Sequence, residues 1–170
     1  RKANPRFAQD VIHGATWLKE PGPNAEIVIA YQGTVATEAI KAAGILGGLR
    51  RDIGVLAVTS ADRLNAGWQS ALRARSKGIQ QATSHIERLL NPLPNHCQII
   101  TVIDGHPATL SWLGGVGGHK TISLGVENFG QTGTVADLYR HYGIDARSIA
   151  EIGANLTIGR SFSYSKAVGF

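Results

Sequence analysis

Methionine is absent from this chain, at position 1 and everywhere else, and cysteine occurs once. A chain that begins Arg-Lys-Ala without methionine reads as the tail end of a longer polypeptide. The single Cys97 excludes an internal disulfide and any cysteine-based zinc cluster. It stands at the head of an apolar stretch, where a buried, inert thiol is expected. No apolar run approaches the length of about 18 residues that a membrane span needs, and no signal peptide is visible. The expectation is a cytoplasmic protein with no membrane partner. Three motifs are also missing: the Gly-x-Ser-x-Gly nucleophile elbow around Ser111, the Gly-x-Gly-x-x-Gly dinucleotide fingerprint and a Gly-Asp-Gly metal segment.

What is present is the composition of a globular chain: 170 residues, 43% hydrophobic and 17% charged. That length suits one domain of ordinary size around a single core. The net charge is +5 and the pI about 9.7. Much of the excess lies between Arg50 and Arg88, where Arg63, Arg73, Arg75 and Lys77 also fall, against Asp52, Asp62 and Glu87. A nucleic-acid surface interleaves aromatics with its basic residues. Only Trp68 lies in that stretch, so a solvated helical face is expected and no nucleic-acid partner.

The chain alternates strand and helix signals. Residues 1–10 read as a linker from an upstream domain, residues 11–154 as an α/β domain, and residues 155–170 as a Ser- and Gly-rich tail. Strands are expected over Val11–Leu18, Glu26–Tyr31, Ile53–Val58, Gln98–Ile103 and Lys120–Leu124. The turn Lys19-Glu-Pro-Gly-Pro-Asn24 is short, so the first strand should run antiparallel to the others, since parallel neighbours need a long crossover. Helices are expected over Val35–Leu49, after Thr59-Ser60-Ala-Asp62, over Thr83–Leu90, Ala108–Val116 and Thr134–Tyr142, and over Ala146–Ile152 with Gly153 as its stop. Strand, polar turn, helix is the order of a parallel α/β sheet, whose chemistry gathers at the carboxyl ends of its strands.

Two such ends carry polar groups. Asp104-Gly-His106-Pro107 follows one strand and Glu127-Asn-Phe129 follows another, so Asp104, His106, Glu127 and Phe129 are the candidate pocket or interface residues. Asp104 and His106 are spaced to converge as an acid–base pair or metal ligands would. No second carboxylate or histidine sits at ligand spacing nearby, which favours a structural or interface role; no metal ligand and no catalytic residue is expected. Gly114-Gly-Val-Gly-Gly-His-Lys-Thr121 is not a phosphate loop, because it follows a helix, opens a strand and has His119 where the second glycine belongs. Gln32-Gly33-Thr34 does follow a strand and open a helix, so its amides could hold an anion or serve as an ordinary capping turn.

The order of these pieces resembles the C-terminal domain of the transketolase family. The resemblance is carried by Asp104-Gly-His106, then Gly125-Val-Glu-Asn-Phe-Gly-Gln-Thr-Gly133, then Asp137-Leu-Tyr-Arg-His-Tyr-Gly-Ile-Asp145. Within that family, Ile12-His-Gly-Ala15 and Val58-Thr59-Ser60 with Leu64 look more like the homodimeric pyruvate dehydrogenase decarboxylating subunit than like transketolase itself. The Gly-Gly-Val-Gly-Gly turn and the Ser-rich tail depart from the pattern. The resemblance implies a three-layer α/β/α domain with a five-stranded mixed sheet, one strand antiparallel. It also implies a parent enzyme that uses thiamine diphosphate and Mg2+ for 2-oxoacid decarboxylation or ketol transfer. In that family the cofactor ligands lie in other domains. This chain would then bind no cofactor and would support a homodimer and the active-site surround, with the remaining domains of the parent as partners. The alternative left open by the residues is a free-standing α/β module that binds a nucleotide or small anion.

Overall fold

The computed structural model describes the backbone of residues 5–49, 52–128 and 130–166, and side chains within 6–48, 52–128 and 130–157. Phe129, Arg50 and Arg51 therefore lie outside the described residues. Five strands form one sheet in the order β1-β3-β2-β4-β5. They are β1 (Ala15–Lys19), β2 (Ile27–Gln32), β3 (Ile53–Val58), β4 (Gln98–Ile103) and β5 (Thr121–Leu124). All neighbouring pairs are parallel except β1 with β3, where Ala15 stands opposite Val58 and a bulge falls between Trp17 and Lys19. The first strand is antiparallel as expected. Its partner is the third strand, because β3 has slipped in between it and β2.

The parallel strands are apolar on both sides and the structure uses both. Alternate residues point to opposite faces of a strand. Val28, Ala30, Leu56, Val58 and Ile99 face one core with Leu64, Ile86 and Leu110. Ile27, Ile29, Val55, Ile100 and Val102 face the other with Ala39, Leu46 and Ile149. Helices α3 (Ala61–Ser76), α4 (His85–Leu90) and α5 (Ala108–Ser111) cover the first face. Helices α2 (Ala36–Leu49), α6 (Val135–His141) and α7 (Ala146–Lys166) belong to the second. This is the three-layer α/β/α architecture with a mixed sheet.

Side-chain caps start α3, at the Thr59-Ser60 signal, and α4, whose cap was not read from the sequence. Ser60 accepts from the Arg63 amide at 3.3 Å to cap α3. Ser84 and Glu87 form a reciprocal capping box on α4. Within the basic stretch Arg63, Arg73, Lys77 and Arg88 are exposed, as expected of a solvated face, while Arg75 pairs with Glu87 at 2.6 Å and Arg63 donates to the Ile12 carbonyl at 2.8 Å.

Four expectations need correction. The segment read as a linker is helical from Pro5, forming α1 (Pro5–His13), and the strand read from Val11 begins only at Ala15. Its apolar residues Phe7 and Val11 stand four apart, a helical spacing that Pro5 and the basic flank obscure. Ala108–Val116 is one short turn of α-helix followed by a 3₁₀ turn, Trp112–Gly115, which brings Trp112 onto Trp68 with ring centroids 5.5 Å apart. Gly153 does not stop the last helix: α7 runs on to Lys166 through the segment read as a tail. Gly153 is buried, and a Cβ there would stand 2.7 Å from Leu46 Cδ1. Its lack of a side chain lets α7 lie against α2, and tertiary packing outweighs the local helix-breaking tendency.

Candidate functional site: a cleft at the carboxyl edge of the sheet

The chain leaves β2 into α2 on one face and leaves β4 into α5 on the other. Because β2 and β4 are neighbours, their departing connections part and open a crevice at this edge. In open α/β sheets that switch point is the usual ligand position. Thr34 stands just past β2 and Asp104 just past β4.

These two residues meet. The Thr34 hydroxyl donates to Asp104 Oδ2 at 2.7 Å. Tyr139, on α6, reaches the same oxygen with its hydroxyl at 3.2 Å and lies 2.9 Å from Thr34 Oγ1. Two hydroxyl protons serve three contacts, so the short distances define a relay from Tyr139 to Thr34 to Asp104, with the 3.2 Å contact a shared, weaker branch. Burial, with the charges of Asp104 and Glu38, raises the Tyr139 phenol above its ordinary range despite the opposing Thr34 bond. It is therefore a neutral donor at physiological pH.

Tyr142, one helical turn on, bonds the Asn128 carbonyl. The cleft bounded by these groups has a volume of about 400 Å3; Asp104, Asn128, Gln131, Val135, Leu138 and the two tyrosines line it. Among the described residues, Asp104 is the only ionisable carboxylate in the lining, and no lysine or arginine is there.

The two strand ends singled out in the sequence do come together. The Val126 amide donates to the Gly105 carbonyl at 2.7 Å. A Cβ on Gly125 would collide with that carbonyl and with Pro107, so only glycine permits the approach. Among the described residues, Asp104 is the one sequence-predicted residue that lines the cleft. His106 does not pair with it: the ring Nδ1 accepts from the Ala108 amide at 3.2 Å and opens α5. Glu127 is exposed and outside the lining. Thr34 and Tyr139 were missed as site residues because they lie 70 and 35 residues from Asp104 in the chain. The Gly33-Thr34 turn was visible in the sequence; its hydroxyl is committed to the Asp104 carboxylate of the chain itself.

Among the described residues no group of three or more His, Cys, Asp or Glu is placed to hold a metal ion. With one carboxylate engaged by two hydroxyls and no cation among the described lining residues, these groups do not fit a diphosphate and its divalent metal. What the cleft can do is accept a donor at Asp104 and hold α6 in place. A second cleft, about 390 Å3, lies between α1, β1 and α4, with Arg6, Asp10, Glu20 and Arg88 in its lining. Among the described residues no helix is long and apolar enough to cross a membrane.

No protein-family model matches the chain, and no curated protein does. Solved structures do, and they define the fold class as that of a transketolase C-terminal-like domain. Transketolase from Campylobacter jejuni subsp. jejuni matches with a TM-score of 0.62 and 21% identity over 90% of this chain. Transketolase from Leishmania mexicana matches with a TM-score of 0.58 and 21% identity over 87% of it. A split-gene transketolase, described as an inactive β4 tetramer, matches with a TM-score of 0.58 and 16% identity, covering 85% of this chain and 43% of that one. The chain spans about a fifth of the length of the first two, 20% and 18%.

Proposed function

We propose that these residues are the C-terminal accessory domain of a thiamine-diphosphate-dependent enzyme of the transketolase or pyruvate dehydrogenase type. The domain supports a homodimer and shapes the active-site surround, in the cytoplasm, with the remaining domains of the parent as its partners. The observation that carries this reading is the extent of the match: nine-tenths of this chain against one-fifth of a transketolase chain. A fold shared at this identity is support for the parent's class through the motif order of residues 104–145, and not through any cofactor ligand here. When bound in such a parent, thiamine diphosphate with Mg2+ supplies carbanion stabilisation. This chain's own share is to hold Asp104, Thr34 and Tyr139 in a rigid array at the sheet edge and to present α6 beside it. The alternative of a free-standing anion-binding module loses support from Asp104, whose charge sits where the anion would lie.

A parent divided over two chains is one form compatible with this reading, as the split-gene neighbour illustrates for its own enzyme. The test is titration of the purified chain with thiamine diphosphate and Mg2+ in a calorimeter, alongside assays of pyruvate decarboxylation and ketol transfer. No saturable binding and no turnover are expected from the chain alone, and activity only with the cofactor-carrying domains joined to it. Turnover or cofactor binding by the chain alone would overturn the accessory role.

A further inference from the structure

The uncommitted features of the carboxyl-edge cleft all favour one kind of group. Asp104 spends Oδ2 on Thr34 and Tyr139, and its Oδ1 makes no hydrogen bond among the described residues. The hydroxyls of Tyr139 and Tyr142 are taken, by Thr34 and Asp104 and by the Asn128 carbonyl, so the tyrosines offer the cleft ring surface. Val126, Val135 and Leu138 supply an apolar wall, and Val135 is 64% exposed at the rim. The nearby basic groups Arg140 and Lys41 are engaged elsewhere, with Asp137 at 3.3 Å and Glu38 at 3.0 Å. The chain as a whole is net positive, yet this edge presents an unbalanced carboxylate.

We infer that the cleft is a docking site for the lysine or arginine side chain of a protein segment outside these residues. The methylene stem of such a side chain lies against Val126, Val135 and Leu138 while its head stays polar. The head donates to Asp104 in a charge-assisted bond and faces the tyrosine rings. A volume of about 400 Å3 admits one such side chain with part of its backbone. Charge complementarity selects the occupant: phosphate and carboxylate groups are repelled by Asp104 and meet no cation among the described residues of the lining. A protein segment is favoured over a free small cation because the rim continues into exposed apolar surface at Val135 and the exposed loop 130–133. This rests on the accessory-domain reading, in which the neighbouring domains of the parent supply the segment.

The chain can be tested as it stands by following its tyrosine ring and α6 amide resonances during titration with N-acetyl-arginine amide. Saturable shifts at Tyr139 and Tyr142 are expected. They should weaken about tenfold in Asp104→Asn, which keeps an acceptor for Thr34 but loses the charge. Val135→Arg, an exposed substitution that leaves the core untouched, should weaken them too and keeps the test valid if Asp104→Asn fails to fold. N-acetyl-glutamate amide and inorganic phosphate should leave these resonances in place. The inference is overturned by an absence of saturable shifts, by binding that survives both substitutions, or by phosphate binding in the cleft. Tetramethylammonium that binds as tightly as the arginine amide would also overturn it, making the cleft a small-cation pocket. None of these outcomes touches the accessory role, which fails only on cofactor binding or turnover.

Discussion

Helices α6 and α7 follow each other in the chain and are held to the sheet by opposite means. Over its 7 residues α6 buries none. It is tethered by the Tyr139 hydroxyl to Thr34 and Asp104 and by Tyr142 to Asn128. Helix α7 is 21 residues long and packs Ile149 and Ala150 into the core with Gly153 pressed on Leu46. Its first amides are capped twice over, Ala146 by Glu38 at 2.9 Å and Arg147 by Asp145 at 3.1 Å. Apolar burial is strong and non-directional, so it secures a helix without specifying fine position. Hydrogen bonds contribute little net stability but fix geometry. The fold thus spends its packing on α7 and its directional bonds on the edge that forms the cleft. Elements held this second way are the ones that open first.

The largest test of this contrast is Ile149→Ala. It removes a side chain with 0% exposure from the α2–α7 core and should cost about 2–5 kcal/mol in urea unfolding, with the whole domain affected. Gly153→Val comes next. Its side chain meets Leu46 and Ile27 within van der Waals contact, at 2.7 and 3.3 Å from the Cβ, and overpacking of this kind costs about 1–3 kcal/mol in the same measurement. A neutral or stabilising outcome would mean that α7 does not lie on α2 as described.

Tyr139→Phe should act locally. It removes the hydroxyl contacts to Asp104 and Thr34 and should lower global stability by only about 0.5–1.5 kcal/mol. Amide exchange in α6 should rise while that of β4 and α7 stays protected. Equal acceleration in all three would erase the distinction between the helices.

The mildest probe is acid. The Ala146 amide, with Lys41, holds the Glu38 carboxyl below its usual range. Burial opposes ionisation of Asp145, but hydrogen bonds from Ser148 and Arg147 together outweigh it and lower that carboxyl as well. A carboxyl depressed by folding means that the unfolded chain binds more protons. The stabilisation is complete above about pH 5 and is lost as pH falls through the folded values. Unfolding midpoints should therefore fall below that pH, less so in Glu38→Gln, whose cap no longer titrates.

The strands Ile53–Val58 and Gln98–Ile103 were legible to the residue, because β-branched runs flanked by cap and turn residues leave few alternatives. So was the sheet's edge as the place for polar groups. The site itself was legible only through Asp104. Its partners come from a turn that the sequence left open between an anion cradle and a capping turn, and from a helix with no site reading, and nothing local tells which hydroxyl a carboxylate will find across the sheet. The spacing of Asp104 and His106 did not tell which neighbour the ring would take: it accepts from a helix amide two residues on.

By itself, the order of residues determined the layered α/β class, most element positions and the caps, since periodicity and backbone preferences act over a few residues. Tertiary structure alone decided that Gly153 joins two helices instead of ending one, that β3 enters between β1 and β2, and that Thr34, Asp104 and Tyr139 form one array. Those outcomes depend on distances between segments remote along the chain, which are set only when both faces of the sheet are buried at once.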